Sequence, residues 1–185
     1  TIADIDADGI ANQMAVLRDG ENLVISDATE QFVSAPAGGT LSNNDQTLSI
    51  PLASLTGSLV LNLAGGDDVL TVSLSGGNPI PAGGVSYDGG VGADALALTG
   101  GSATNLNFRF TNAHDGGVTI DGSTINYTGL EPIASEIQAT HVTLDYSITG
   151  ETITVQQDTS DTAKTLVTST LPPSGESVSF PNPTG

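Results

Sequence analysis

Leu61-Asn-Leu63-Ala-Gly65-Gly66-Asp-Asp68-Val-Leu70-Thr-Val72 is followed in the same chain by Val85-Ser-Tyr87-Asp-Gly89-Gly90-Val-Gly-Ala-Asp94-Ala-Leu96-Ala-Leu98. Each stretch is an alternating apolar run, a Gly-Gly corner, an aspartate and a second alternating run. Gly65 and Gly89 lie 24 residues apart and Asp68 and Asp94 lie 26 apart, which reads as one turn lengthened by two residues. A unit of this size matches one coil of a parallel β-helix better than one hairpin of a sandwich. Stacked coils would align the Gly-Gly corners and point Val, Leu and Ile into a narrow core.

Period-two alternation extends along most of the chain in short runs bounded by Gly, Asp, Asn or Pro, so the fold class is all-β. The specific expectation is a parallel β-helix or β-solenoid-like repeat module. A β-sandwich able to accept a donated strand is the alternative, because Asp19-Gly20 and Asp121-Gly122 sit at the spacing of two-residue hairpin loops. Seven Phe and Tyr without Trp suit stacked aliphatic ladders rather than a wide sandwich interior. Residues 31–34 are among the predicted strands. Residues 131–139, with Pro132 in a first-turn position, read as a short helix, and a helical turn is allowed at residues 10–14.

A longer repeat overlies this pattern. Glu21-Asn-Leu-Val-Ile-Ser-Asp27 returns as Glu151-Thr-Ile-Thr-Val-Gln-Gln157-Asp158, and the run from Pro51 to Gly57 returns at Phe180 to Gly185. The organisation predicted is an acidic first segment with the first strand at 1–20, a complete β-rich module at 21–150, and the start of a second copy at 151–185. A second copy that stops at Thr184-Gly185 is expected to belong to, or to join onto, a longer array.

Composition narrows the partners. Twenty-one acids stand against three bases, Arg18, Arg109 and Lys164, for a net charge of −18. Neutralisation of phosphates needs Lys and Arg, so nucleic acid and anionic membrane are excluded as partners, and no apolar stretch approaches spanning length. The lack of cysteine removes disulfides, thiolate metal sites and cysteine nucleophiles. Wealth in Thr, Ser, Gly and Asn with almost no Lys is more like the composition of a bacterial secreted or surface protein than that of a typical cytosolic enzyme, so a location outside the cell is the expectation.

The acids themselves suggest a cation. Corners stacked at strand spacing would bring Asp68 and Asp94 within ~5 Å, a repulsion of about 1 kcal/mol in water and about 3 kcal/mol at an effective dielectric of 20. Asp67 and Asp88 add to it. Calcium takes hard oxygen ligands in tolerant geometry and would convert the repulsion into cross-linking; the alternative is that these aspartates cap tight turns in solvent. Asp4-Ile-Asp6-Ala-Asp8-Gly9 has the D-x-D-x-D-G opening of a calcium loop, although the twelfth position, Ala15, lacks the bidentate glutamate of an EF-hand.

Gly89-Gly90-Val91-Gly92-Ala93-Asp94-Ala95-Leu96-Ala97 fits every position of G-G-x-G-x-D-x-U-x. It resembles the haemolysin-type calcium-binding repeat, which implies Asp94 as a calcium ligand and Leu96 as a core residue, with Gly65-Gly66-Asp67-Asp68-Val69-Leu70 as a shortened relative. Nonapeptides of that family follow one another directly, whereas here a strand and a loop intervene. With Asp121-Gly-Ser-Thr-Ile-Asn-Tyr-Thr-Gly-Leu-Glu-Pro-Ile133, the whole pattern resembles the β-rich repeat modules of large bacterial extracellular adhesin-like and matrix-like proteins.

The expected function is therefore structural: a calcium-stabilised module that joins copies of itself into a head-to-tail fibre or array in a biofilm matrix or at a cell surface, with strand donation as one means. A glycan-binding adhesin domain is the alternative. A polysaccharide-degrading enzyme is the lesser rival, since the only imidazoles, His114 and His141, suggest no nucleophile or orienting partner. No catalytic residue and no organic cofactor are assigned.

Overall fold

Where alternation leaves one apolar face to cover, the chain forms strands, and it does so seventeen times among the described residues. The structure is a computed structural model that describes residues 2–3, 9–146, 150–170 and 176–185. In order the strands are β1 (Ile2–Ala3), β2 (Gln13–Asp19), β3 (Asn22–Asp27), β4 (Thr40–Ser42), β5 (Thr47–Pro51), β6 (Leu59–Asn62), β7 (Val69–Ser73), β8 (Val85–Asp88) and β9 (Asp94–Thr99). The second half adds β10 (Ser102–Phe110), β11 (Gly116–Ile120), β12 (Ser123–Thr128), β13 (Leu130–Ser135), β14 (Gln138–Tyr146), β15 (Ile153–Gln157), β16 (Lys164–Ser169) and β17 (Ser177–Pro181). The only helical element among the described residues is a 3-10 turn, Leu52–Ser54.

The protein is all-β, with two mixed sheets. One has seven strands in the order β1-β6-β8-β12-β11-β10-β14, and the other has ten in the order β15-β16-β17-β13-β9-β7-β2-β3-β5-β4. From β6 to β9 the chain crosses from one sheet to the other at every strand, so neighbours within a sheet are parallel. Hairpins extend both sheets: β11 lies antiparallel between β10 and β12, and antiparallel strands flank the parallel centre of the ten-stranded sheet on both sides.

Side chains at one level of the ladder make the core. Met14, Leu70, Leu96, Ile133 and Val178 stand opposite one another across five successive parallel strands, each almost wholly buried. Leu59, Val85 and Ile125 form a matching row in the facing sheet. Burying a Leu or Ile in such a row contributes roughly 1.5–3 kcal/mol.

From β6 and β7 to β8 and β9 the register is 26 residues at every paired position. Leu61 faces Tyr87, Gly65 faces Val91 and Leu70 faces Leu96, so the corner is not lengthened in its second occurrence. The Gly-Gly pairs do not align. Ala64 is instead level with Gly90, and both adopt positive φ, at 62° and 90°. Backbone conformation and hydrogen bonding fix the register, and Ala64 occupies a place where its later counterpart is glycine. A methyl group on Gly90 would sit 2.1 Å from the Ala64 carbonyl oxygen, so there only glycine allows the two turns to touch.

Three expectations are corrected. Residues 131–139 are not helical: they belong to β13 and the start of β14, because Ile133 and Ile137 must be buried against the core and β13 pairs in parallel with β9. Pro132, which has no N–H to donate, falls where that pairing shifts register between Leu130 and Ile133. Residues 10–14 contain no helical turn; Asn12 gives its backbone N–H to Asp68 and β2 begins at Gln13. Residues 31–34 form no strand, and Val33 is 86% exposed. Both expected hairpins exist, with Asp121 and Gly122 both at positive φ, but the first loop is Gly20-Glu21, since Asp19 still pairs with Asn22.

The ends of the two similar segments make the same local turn. Asp27 Oδ1 accepts from Thr29 N at 2.9 Å and Thr29 Oγ1 at 2.7 Å; Asp158 Oδ1 accepts from Ser160 N at 2.8 Å and Ser160 Oγ at 2.6 Å. Strand order differs between the copies. β3 lies directly beside β5, whereas β16 separates β15 from β17.

The register yields a stability prediction. Relieving a left-handed alanine should make Ala64→Gly more stable by about 0.5–1 kcal/mol, whereas Gly90→Ala should cost about 1–3 kcal/mol. Urea unfolding midpoints at constant m-value check both signs.

Candidate metal centre at the aspartate corner

Asp68 immediately precedes β7 and Asp94 opens β9, one register level before the Leu70–Leu96 row. Alternation turns them inward, and they are 0% and 1% exposed. Each carboxylate reaches back one turn of the stack. Asp68 Oδ1 accepts the backbone N–H of Asn12 at 2.7 Å, and Asp94 Oδ1 accepts that of Asp68 at 2.8 Å. These residues occupy one level of the ladder, because Gln13 faces Val69 and Val69 faces Ala95. The side chains thus extend the backbone ladder into the corner. Asp67, on the outside, accepts from Ala93 N at 2.9 Å, and Asp88 accepts from Thr128 Oγ1 at 3.0 Å.

Asp94 Oδ2 is enclosed and has no hydrogen-bond partner among the described residues, and the same holds for the hydroxyl of Tyr87, itself 1% exposed. Burial pushes the Asp94 carboxyl above the usual carboxylate range; the Asp68 N–H pulls it down, and the charges of Asp67 and Asp88 raise it again. Burial likewise raises the Tyr87 phenol, with Asp94, Asp68 and Asp88 contributing in that order. A proton or a hard cation would relieve such a site. Among the described residues no three His, Asp or Glu side chains converge closely enough to hold a metal alone. Any calcium here would combine Asp94 and Asp68 with carbonyl oxygens and water. Asp4, Asp6 and Asp8 lie outside the described residues.

Sequence reading missed a second acidic cluster. Tyr127 of β12 donates to Glu176 Oε1 at 3.4 Å, and Glu176 is 1% exposed although it sits 49 residues away in sequence. Both carboxylate oxygens of Glu151 are enclosed without a partner nearby, and burial, then Glu151 and Glu176, push the Tyr146 phenol up to about 12. No local motif announces this group. It exists because β12, the end of β14 and the approaches to β15 and β17 meet.

Elsewhere the chemistry is sparse. A cleft of about 550 Å³ is lined by Leu52, Leu55, Ile80 and Pro81 with Arg18 and Glu21, and none of its lining residues is aromatic. Arg109 is exposed on β10 and donates to Asn126 Oδ1 at 3.2 Å. Comparison with known proteins returns no match to a protein family, a curated protein or a solved structure.

The two kinds of aspartate give opposite pH dependence. Because the folded state holds the Asp94 proton more tightly than the unfolded chain does, its contribution is complete below the ordinary carboxylate pKa and is lost as pH rises through the raised value. Asp158 is held down to about 2 by hydrogen bonds from Ser160 and Ser179, so its contribution is present above the ordinary pKa and lost as pH falls through about 2. In chelator, stability should decline from about pH 4 toward neutrality in the native chain and flatten in Asp94→Asn. Denaturant midpoints across that range measure it.

Proposed function

We propose that the chain is an extracellular structural protein whose β-rich module joins copies of itself head to tail, with calcium at the Asp68–Asp94 corner stabilising the stack. The observation that carries this reading is the open end. Among the described residues neither sheet closes, and the ten-stranded sheet finishes at both sides in a strand with one neighbour, β15 and β4. Unpaired backbone groups along an edge are templates for another strand.

The 26-residue register between β6–β7 and β8–β9, and the crossing from sheet to sheet, support a β-solenoid-like reading of the parallel centre, to which hairpins have been added. Such stacks grow along an axis, which suits an array. Calcium is supported by the enclosed Asp94 Oδ2 and by an acid excess that an assembly of many copies would concentrate. The composition supports a location outside a bacterial cell, in a matrix or on the surface, where calcium is available. A glycan-binding reading has less support: the cleft beside Arg18 lacks the aromatic platform that stacks on a sugar ring.

Sedimentation velocity and negative-stain electron microscopy in calcium and after chelation test the proposal. Elongated assemblies in calcium that shorten or dissolve on chelation are expected, together with a calcium-dependent rise in melting temperature. A chain that remains monomeric at high concentration in calcium overturns the array, and a melting temperature indifferent to calcium overturns the metal.

A further inference from the structure

The repeated segment offers an internal comparison. Leu23 and Ile25 of β3 are 0% exposed, whereas the residues at the same places in the second copy, Ile153 and Val155 of β15, are 43% and 64% exposed. β3 lies between β2 and β5; among the described residues β15 has β16 alone. Ile153 and Val155 stand opposite Ser169 and Val167, which are buried, so they point to the face that elsewhere makes the core. β15 is a core-type strand that lacks its second neighbour.

At the far side of the same sheet is β4, paired only with β5 among the described residues, with Leu41 opposite the buried Leu48. Residues 31–44 around it contain no charge, and neither does β15 itself. On a molecule of net charge −18 these acid-free edges are where two copies can approach with least repulsion. Both carry exposed apolar side chains, Val33 near β4 and Val155 on β15.

Strand direction fits as well. The five parallel strands from β17 to β2 share one direction, from which β16 and β3 reverse, β15 and β5 return, and β4 reverses again. A copy placed in line therefore presents β4 antiparallel to β15, and the alternation of the flanking strands continues across the junction.

Resting on the array reading, we infer that β15 of one copy pairs antiparallel with β4 of the next, extending the ten-stranded sheet from molecule to molecule. The contact is heterologous, with different surfaces on the two partners, so it does not close after two copies. Pairing of β15 with a second β15 would give a closed dimer instead and leave β4 bare.

The chain has no cysteine, which permits a direct test on the full protein. Thr154→Cys and Thr40→Cys, both at exposed edge positions, are treated with a short bis-maleimide, alone and mixed. A covalent dimer in the mixture but in neither variant alone is expected, with a ladder of multimers from the double variant. A dimer from Thr154→Cys alone overturns the inference in favour of β15 self-pairing. Absence of any adduct while microscopy still shows arrays overturns this junction and leaves the array standing; absence of both adducts and arrays removes the array reading too. Val155→Lys provides the second arm: it should abolish assembly with the melting temperature of the monomer unchanged, and assembly like the native chain overturns the junction.

Discussion

A side-chain oxygen taking the backbone N–H of the residue one turn earlier in the stack is the interaction on which the corner depends. Asn12, Asp68 and Asp94 form that series, at 2.7 and 2.8 Å. Backbone pairing continues through the turn at Gly65 and Val91, but just before β2 and β7 the N–H groups of Asn12 and Asp68 are met by carboxylates, and without them they would be left buried and unpaired. An unmet buried donor costs about 1–3 kcal/mol, so the carboxylates preserve the register through the turn as well as filling it. With the register held, Leu70 falls opposite Leu96, and the apolar rows that supply most of the stabilisation line up. The same burial that makes Asp94 a good acceptor on one oxygen leaves the other without a donor among the described residues. Structural capping and affinity for a proton or cation are two consequences of one placement.

Much of this was legible in sequence because alternation is a direct record of one-sided burial. Val16, Leu70, Leu96 and Val178 each sit in an alternating run and each is buried. Residues 131–139 misled because Pro132 and the spacing of Ile133 and Ile137 imitate the start of an amphipathic helix, while the pairing that decides the matter is with β9, 36 or 37 residues away. The glycine alignment misled for a different reason. Glycine marks where left-handed backbone is easy, but Ala64 adopts it at φ 62°, so residue identity and conformation repeat at different spacings. Asp68 and Asp94 were legible as a pair since their separation equals the true repeat. The grouping of Tyr127, Tyr146, Glu151 and Glu176 was not, because nothing local ties residues that only the completed stack brings together.

The charge distribution separates two tasks that acids perform here. Asp27, Asp121 and Asp158 satisfy backbone N–H groups at turns: Asp121 accepts from Thr104 and Asn105, and Asp158 also takes the Ser179 hydroxyl. These carboxylates stabilise by hydrogen bonding, Asp27 through Oδ1 alone, since its enclosed Oδ2 has no partner among the described residues. Asp67, Asp88 and Asp94 crowd one corner, where their charges add. Only three bases exist, and one of them, Lys164, is engaged by Glu136. Few charges of opposite sign are thus available within the chain to offset that corner.

The two copies of the Glu-x-apolar-x-apolar segment show why sequence alone did not distinguish an interior strand from an edge. Leu23 and Ile153 occupy the same place in the repeat and differ by 43% in exposure, and the difference lies wholly in what runs alongside. In the first copy the intervening residues swing outward to form β4 on the far side of β5, leaving β3 and β5 in contact; in the second they return as β16 between β15 and β17. The first copy joins the parallel centre through β3 and the second through β17, which leaves β15 at the margin without changing its sequence pattern. This arrangement also places a strand with core-facing Ile and Val at one margin of the sheet and a short strand with one inward Leu at the other. Both margins are uncharged in a molecule dominated by carboxylates. Self-association in a strongly acidic protein requires such interruptions in its charge, and the repeat has positioned them at opposite ends of one continuous hydrogen-bonded sheet.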